Sequence, residues 1–202
     1  YDNFAKNSDI LLKMVGAEAG DLFVSGENMD AVGEQLEDWA ENELVLYFAN
    51  ATLKLEGKEI ETSVTCDVWK EPDLVKNEMI IDGRLPKYGN EIVLTNNIAK
   101  ELEVEVGDTI YVTGQKERMD FLVCGIDQKI NNMGLKALLS YEGLERLNGK
   151  AETAILYVYT KENVVFDDIS KKITDEFSGA SVTDSEKTIQ STMNGVIVAM
   201  AT

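Results

Sequence analysis

Histidine is absent from the chain. That removes the usual general base, the commonest metal ligand and the simplest switch near neutral pH. Bases are scarce as well: 19 lysines and arginines face 37 acids, for a net charge of −18. DNA, RNA and anionic lipid surfaces each require a basic footprint, so nucleic acid is excluded as a partner and a charged membrane surface is disfavoured. The acidic surface chiefly confers solubility, with attraction of cationic ligands the weaker reading. No signal-peptide pattern opens the sequence, and its longest apolar run, GVIVAMA, falls far short of the ~20 residues a membrane helix needs. Cysteines number two, Cys66 in SVTCDV and Cys124 in FLVCGI. Both sit in apolar strand patterns, which reads as two buried thiols or one cross-strand disulfide.

What is present suits a folded protein. An apolar fraction of 44% supplies a core, and a charged fraction of 28% is that of a soluble fold. The 202 residues fit one large domain or two small ones. Phe4, Leu11, Leu12 and Val15 have helical spacing, and Val196, Ile197, Val198 and Met200 end the sequence in mid-pattern. The chain therefore reads as a segment of something longer.

The flanks follow one plan. DLFVSGE (21–27) is a short strand ending at a glycine. A helix follows, with Asp30 as N-cap and Val32, Leu36, Trp39 and Ala40 on one face. Core packing suits Trp39 better than a cofactor role. ELVLYFANATLKL (43–55) and KEIETSVTCDVW (58–69) read as a hairpin about Glu56-Gly57-Lys58, closed by Glu71-Pro72. Farther on, AETAILYVYT (151–160) is a buried strand. Phe166, Ile169, Ile173 and Phe177 mark an amphipathic helix closed by Gly179. SVT (181–183) is a strand, and Thr183 to Glu186 has capping-box spacing before a helix through Ile189, Met193, Val196 and Met200. The order is β-α-β-β, an interruption, then β-α-β: an α+β fold in two halves.

The interruption, about 78–150, is the most sharply punctuated part of the chain. Asp82-Gly83 and Gly89-Asn90 mark turns, Pro86 fixes the backbone between them, and Glu91 to Leu94 is a strand. Asn96 or Asn97 caps a short helix holding Ile98 and Leu102. Val104 and Val106 alternate with Glu103 and Glu105, Gly107-Asp108 kinks the chain, and TIYV then pairs with MDFLVCGI (119–126). No residue here is an obvious nucleophile, metal ligand or phosphate cradle. The punctuation folds a small, tightly turned β unit.

The stretch GRLPKYGNEIVLTNNIAKELEVEVGDTIYV resembles a pattern in the extracytoplasmic domains of ABC-transporter permeases of the MacB/FtsX-like superfamily. The matching positions are Gly83, Arg84, Pro86, Gly89, Asn90, Glu91, Ile92, Val93, Leu94, Ala99, Leu102, Gly107, Asp108 and Thr109, with Phe121, Val123, Gly125 and Ile126 beyond. The resemblance implies a split porter-like α+β subdomain (1–77 with 151–202) interrupted by a β-rich sabre-like one (78–150). It implies no catalytic, cofactor or metal residue. Gly83, Arg84, Pro86, Gly89, Asn90, Glu91, Gly107 and Asp108 are then structural positions. The implied partners are the permease's own membrane helices, a separate cytoplasmic ATPase, and beyond those a second permease copy and an extracellular adaptor or substrate. The helices at 1–15 and 184–202 would carry movement out of the membrane, with the two chain ends side by side.

Two other classes compete. An enzyme without histidine needs a carboxylate pair, a Ser-Lys arrangement or a reactive cysteine. Cys66 and Cys124 lie where thiols are usually inert, and neither G-x-x-x-x-G-K-[ST] nor G-x-S-x-G occurs. A free-standing extracytoplasmic binding or adaptor module would share every fold signal.

Overall fold

The computed structural model describes residues 10, 20–36, 38–48, 53–56, 60–70, 72–75, 78–129, 131–149, 152–188 and 191. Apart from Ile10 and the few helical positions from 185 to 191, the expected terminal helices lie outside these residues, as do both chain ends and the hairpin turn at 57–59.

The elements are β1 (Leu22–Ser25), α1 (Met29–Leu36), β2 (Ala40–Phe48), β3 (Leu53–Glu56), β4 (Glu61–Trp69), β5 (Ile80–Gly83), β6 (Glu91–Thr95), α2 (Asn96–Leu102) and β7 (Thr109–Thr113). There follow β8 (Arg118–Asp127), β9 (Lys136–Leu139), α3 (Tyr141–Asn148), β10 (Glu152–Thr160), α4 (Phe166–Glu176) and β11 (Ser181–Asp184). They form two compact units. Among the described residues, the first takes 10, 20–45 and 153–191, and the second takes 46–152.

In the first unit the strand order is β11-β1-β10-β2. Strand β1 pairs antiparallel with both neighbours, Leu22 facing Val158 on one side and Asp184 on the other. Its alternation is that of a sheet with one better-covered face: Leu22 and Val24 are buried, Phe23 and Ser25 half-buried. Phe23 meets Tyr157 directly across the ladder, ring centroids 6.2 Å apart. Helix α1 buries Met29, Val32 and Leu36, and α4 buries Ile169 and Ile173, the i, i+3 and i, i+4 stripes of helices covering a sheet.

Three local readings need correction here. Helix α1 starts one residue before Asp30: the Asn28 carbonyl accepts from Ala31 and Val32 at 3.0 and 3.2 Å, so Asp30 lies inside the first turn. Its charge still complements the helix dipole there. The helix also ends early. Trp39 sits in a turn donating its N–H to Leu36, half-buried, with Lys172 Nζ 4.5 Å above its ring. The cap before the C-terminal helix is Asp184 rather than Thr183, since Asp184 Oδ1 accepts from the Lys187 amide at 3.1 Å.

The second unit closes on itself. The expected β3–β4 and β7–β8 antiparallel pairs are present. Strand β3 also pairs with β7, β8 runs parallel to β6, β6 pairs with β9, and β9 runs parallel to β4. The six strands β4-β3-β7-β8-β6-β9 thus return to β4, which leaves the ring no open edge. Strand β5 adds to β8. Every position of β6 is buried, with α2 packed against β6 and β8 and α3 against β4. Ile92, Leu94, Ile110, Val112, Phe121 and Val123 are fully enclosed, each such side chain contributing about 1.5–3 kcal/mol.

This ring moves the first expected boundary. A division at 77/78 would sever β4 from β9 and β3 from β7, so the hairpin belongs with the inserted unit and the chain divides after Val45. The stretch 103–106 is also no strand. Glu103 caps α2 in the left-handed region (φ 55), and Asp108 Oδ2 accepts the Glu105 amide at 2.9 Å, so a turn uses the groups a ladder would need. Helix α2 itself begins at Asn96, placing both asparagines inside it; Thr95 is the cap residue, and its hydroxyl is committed to the Gly134 carbonyl. Both cysteines are free and buried.

Candidate functional site

All eight motif residues lie in the second unit, and most of their contacts converge on four residues of β8. Leu122 donates its amide to the Asn90 carbonyl at 2.8 Å. Val123 is held at both ends: its amide donates to Asp108 and its carbonyl accepts from Gly107, at 2.8 and 2.9 Å. Cys124, the extra residue of a bulge between β6 and β8, accepts the Arg84 amide at 2.9 Å. At Gly125 an added Cβ would meet the Arg84 carbonyl at 2.4 Å. Gly83 is equally constrained, with φ +73 and the Cys124 carbonyl 2.3 Å from where its Cβ would stand. Gly83→Ala is therefore expected to destabilise the chain by about 2–4 kcal/mol through strain and displacement of β8. Urea unfolding followed by circular dichroism checks this, and a change below about 0.5 kcal/mol, the range of an ordinary surface substitution, would contradict it.

The loop from Arg84 to Glu91 is pinned by one carboxylate. Glu91 is almost fully buried, whereas Arg84 is partly exposed. The Arg84 guanidinium grips it with both arms, Nη1 to Oε2 at 2.7 Å and Nη2 to Oε1. Oε2 also accepts the Lys87 and Tyr88 amides at 2.8 and 3.2 Å. The guanidinium, aided by these amides, holds the Glu91 carboxyl down to about 2 although burial pushes the other way. Pro86 and Gly89 are buried beneath the loop, and the Glu142 side chain occupies the space a Gly89 Cβ would need. Burial pushes the Cys124 thiol up to about 11 and raises that of Cys66, so neither is a ready nucleophile.

A second cluster was not legible as a site. Lys129, with its side chain 2% exposed, places Nζ 2.8 Å from Glu78 and 3.7 Å from Asp67. Lys136 Nζ holds Asp67 at 2.7 and 2.9 Å, and Trp69 Nε1 donates to Glu78 at 2.8 Å. Burial favours loss of the Lys129 proton, but Glu78, Asp67 and Asp127 outweigh it and the pKa rises. Asp127 accepts the Lys129 amide at 3.2 Å, and burial pushes its carboxyl up to about 6. The side chains of Lys129, Glu78 and Asp67 are all nearly inaccessible.

The sign for Asp127 runs against most carboxylates. Its folded pKa of about 6 lies above the ordinary 3.8, so its burial costs nothing at low pH and costs progressively more as pH rises between those values. Asp127→Asn is expected to leave stability near pH 4 unchanged and to raise it by about 1–2 kcal/mol at pH 7. Melting temperatures of both proteins across that range check this; parallel curves would contradict it.

No family model and no curated protein matches this sequence. Solved structures do match. The periplasmic region of MacB from Actinobacillus actinomycetemcomitans aligns with a TM-score of 0.60 at 13% identity, covering 92% of this chain and 98% of that one. The extracellular domain of the noncanonic ABC-type transporter YknZ from Gram-positive bacteria aligns at 0.57 and 16% identity, over 79% and 89% of the two chains. This chain shares their α+β fold. Among the described residues no helix is long and apolar enough to cross a membrane.

Proposed function

We propose that this chain is the extracytoplasmic domain of an ABC-transporter permease. In this role it is moved by membrane helices that respond to ATP hydrolysis on a separate cytoplasmic subunit, and it passes that movement to a substrate or partner outside the membrane. The observation that carries the reading is the match to the MacB periplasmic region across nearly the whole of both chains. The motif geometry supports it. A body that transmits a helix shift must not absorb it, and here a bulged strand is braced by backbone bonds from two separate segments, the loop 84–90 and the turn at Gly107 and Asp108. On this reading the domain performs no chemistry of its own.

The test is purification of the full-length protein from native membranes. It is expected to bring with it a nucleotide-binding subunit whose ATPase activity accounts for all turnover. A full-length protein that is released from membranes by salt and brings no ATPase would overturn the reading.

A further inference from the structure

The second unit contains a cavity of about 460 Å³, a volume suited to a small organic ligand. Both of the chain's prolines line it. Pro72 opens a single helical turn in which the Val75 amide donates to the Pro72 carbonyl at 3.2 Å. Pro86 is buried in the loop that Glu91 holds through Arg84, Lys87 and Tyr88. Two walls are thus fixed before any ligand arrives, which lowers the ordering cost of binding. Between them the lining is largely apolar, with Trp69 and Leu139 among it. The Trp69 indole is oriented by its bond to Glu78.

The charge of the lining contrasts with that of the chain as a whole. Lys70 and Lys87 both line the cavity and both are exposed. Among the described residues neither ammonium has a salt-bridge partner. Among the described residues of the lining, Lys70 and Lys87 face a single acid, Asp73, on a chain of net charge −18.

We propose that this cavity binds a small organic anion, a carboxylate carried on an apolar body, with Lys70 and Lys87 at the charged end and Trp69 beside the apolar one. The site stands independently of the transporter reading.

The test uses the 202-residue chain carrying Trp39→Phe, so that Trp69 alone reports, with 4-phenylbutanoate as probe and 4-phenylbutylammonium as its cationic counterpart. The carboxylate is expected to change Trp69 emission saturably and to shift the Lys70 and Lys87 amide resonances. The ammonium compound is expected to bind at least about tenfold more weakly. The double substitution Lys70→Gln, Lys87→Gln is expected to weaken carboxylate binding about tenfold or more, the loss of one charge-assisted hydrogen bond. Those lysines are exposed, so an unchanged melting temperature will show that the variant folds. No saturable binding, equal binding of the two probes, or an affinity indifferent to the lysines would each overturn the proposal.

Discussion

Lys129→Met is expected to destabilise the chain by about 3–5 kcal/mol at neutral pH, the cost of leaving buried carboxylates without their cation. Lys129, Glu78 and Asp67 are all nearly inaccessible, and Asp127 faces the same ammonium. Removing it leaves three acids to share Lys136, which Asp67 already occupies at 2.7 Å. The loss should shrink toward pH 4, because the orphaned carboxylates can take up protons in the folded variant. Adding Glu78→Gln to Lys129→Met should recover part of the loss, since the acid nearest to the missing cation is then neutral. Urea denaturation of the parent, both single variants and the double variant measures all of this. A Lys129→Met cost below about 1 kcal/mol would mean that water solvates the cluster.

The second large effect concerns Glu91. Its carboxyl is held down to about 2 against an ordinary 4.5, so the stabilisation it provides is present above pH 4.5 and disappears as pH falls toward 2. Arg84→Met removes the largest cause of that shift. The expected cost is about 2 kcal/mol at pH 7, below the full value for a buried pair because Arg84 is 42% exposed and solvent screens it. Arg84→Lys should recover little, since a point charge cannot reproduce the two-armed grip. The Lys87 and Tyr88 amides, which share Oε2, should exchange with solvent faster in both variants. An acid titration of stability with the same midpoint in parent and Arg84→Met would contradict this account.

How far the sequence carried the reading depends on where each signal was local. Leu22 and Val24 alternate, and Ile169 and Ile173 recur at helical spacing, so β1 and α4 were legible from their periods. The β3–β4 and β7–β8 pairs were legible because their partners are close in sequence. The parallel β4–β9 pair joins Cys66 to Ala137, and no local pattern announces such a contact. Missing it placed the first boundary after residue 77 and hid the closed ring. Helix α3 escaped because it is short, carries Gly143, and takes its start from Ser140, whose hydroxyl accepts the Gly143 amide at 3.1 Å. Glu103 and Glu105 alternated with valines like a strand, yet a left-handed Glu103 turned the chain instead.

The motif positions were found by resemblance, and only the fold shows how they converge on Leu122 to Gly125. The charged cluster is the opposite case. Asp67, Glu78, Asp127, Lys129 and Lys136 are scattered singly among ordinary polar residues, and a lone lysine in a sequence looks like surface. Its strongest available hint was Asp67 directly after Cys66, a charge placed within an otherwise apolar strand end.

Location outside the membrane is the claim on which the transporter reading turns, and one labelling experiment addresses it. Cys66 and Cys124 are buried thiols whose pKa values are raised, so within these 202 residues little background labelling is expected. Met133 is 80% exposed. Full-length protein carrying Met133→Cys should react with a membrane-impermeant maleimide in intact cells as completely as after permeabilisation. Labelling that appears only once the membrane has been opened would place this domain on the cytoplasmic side and contradict the account.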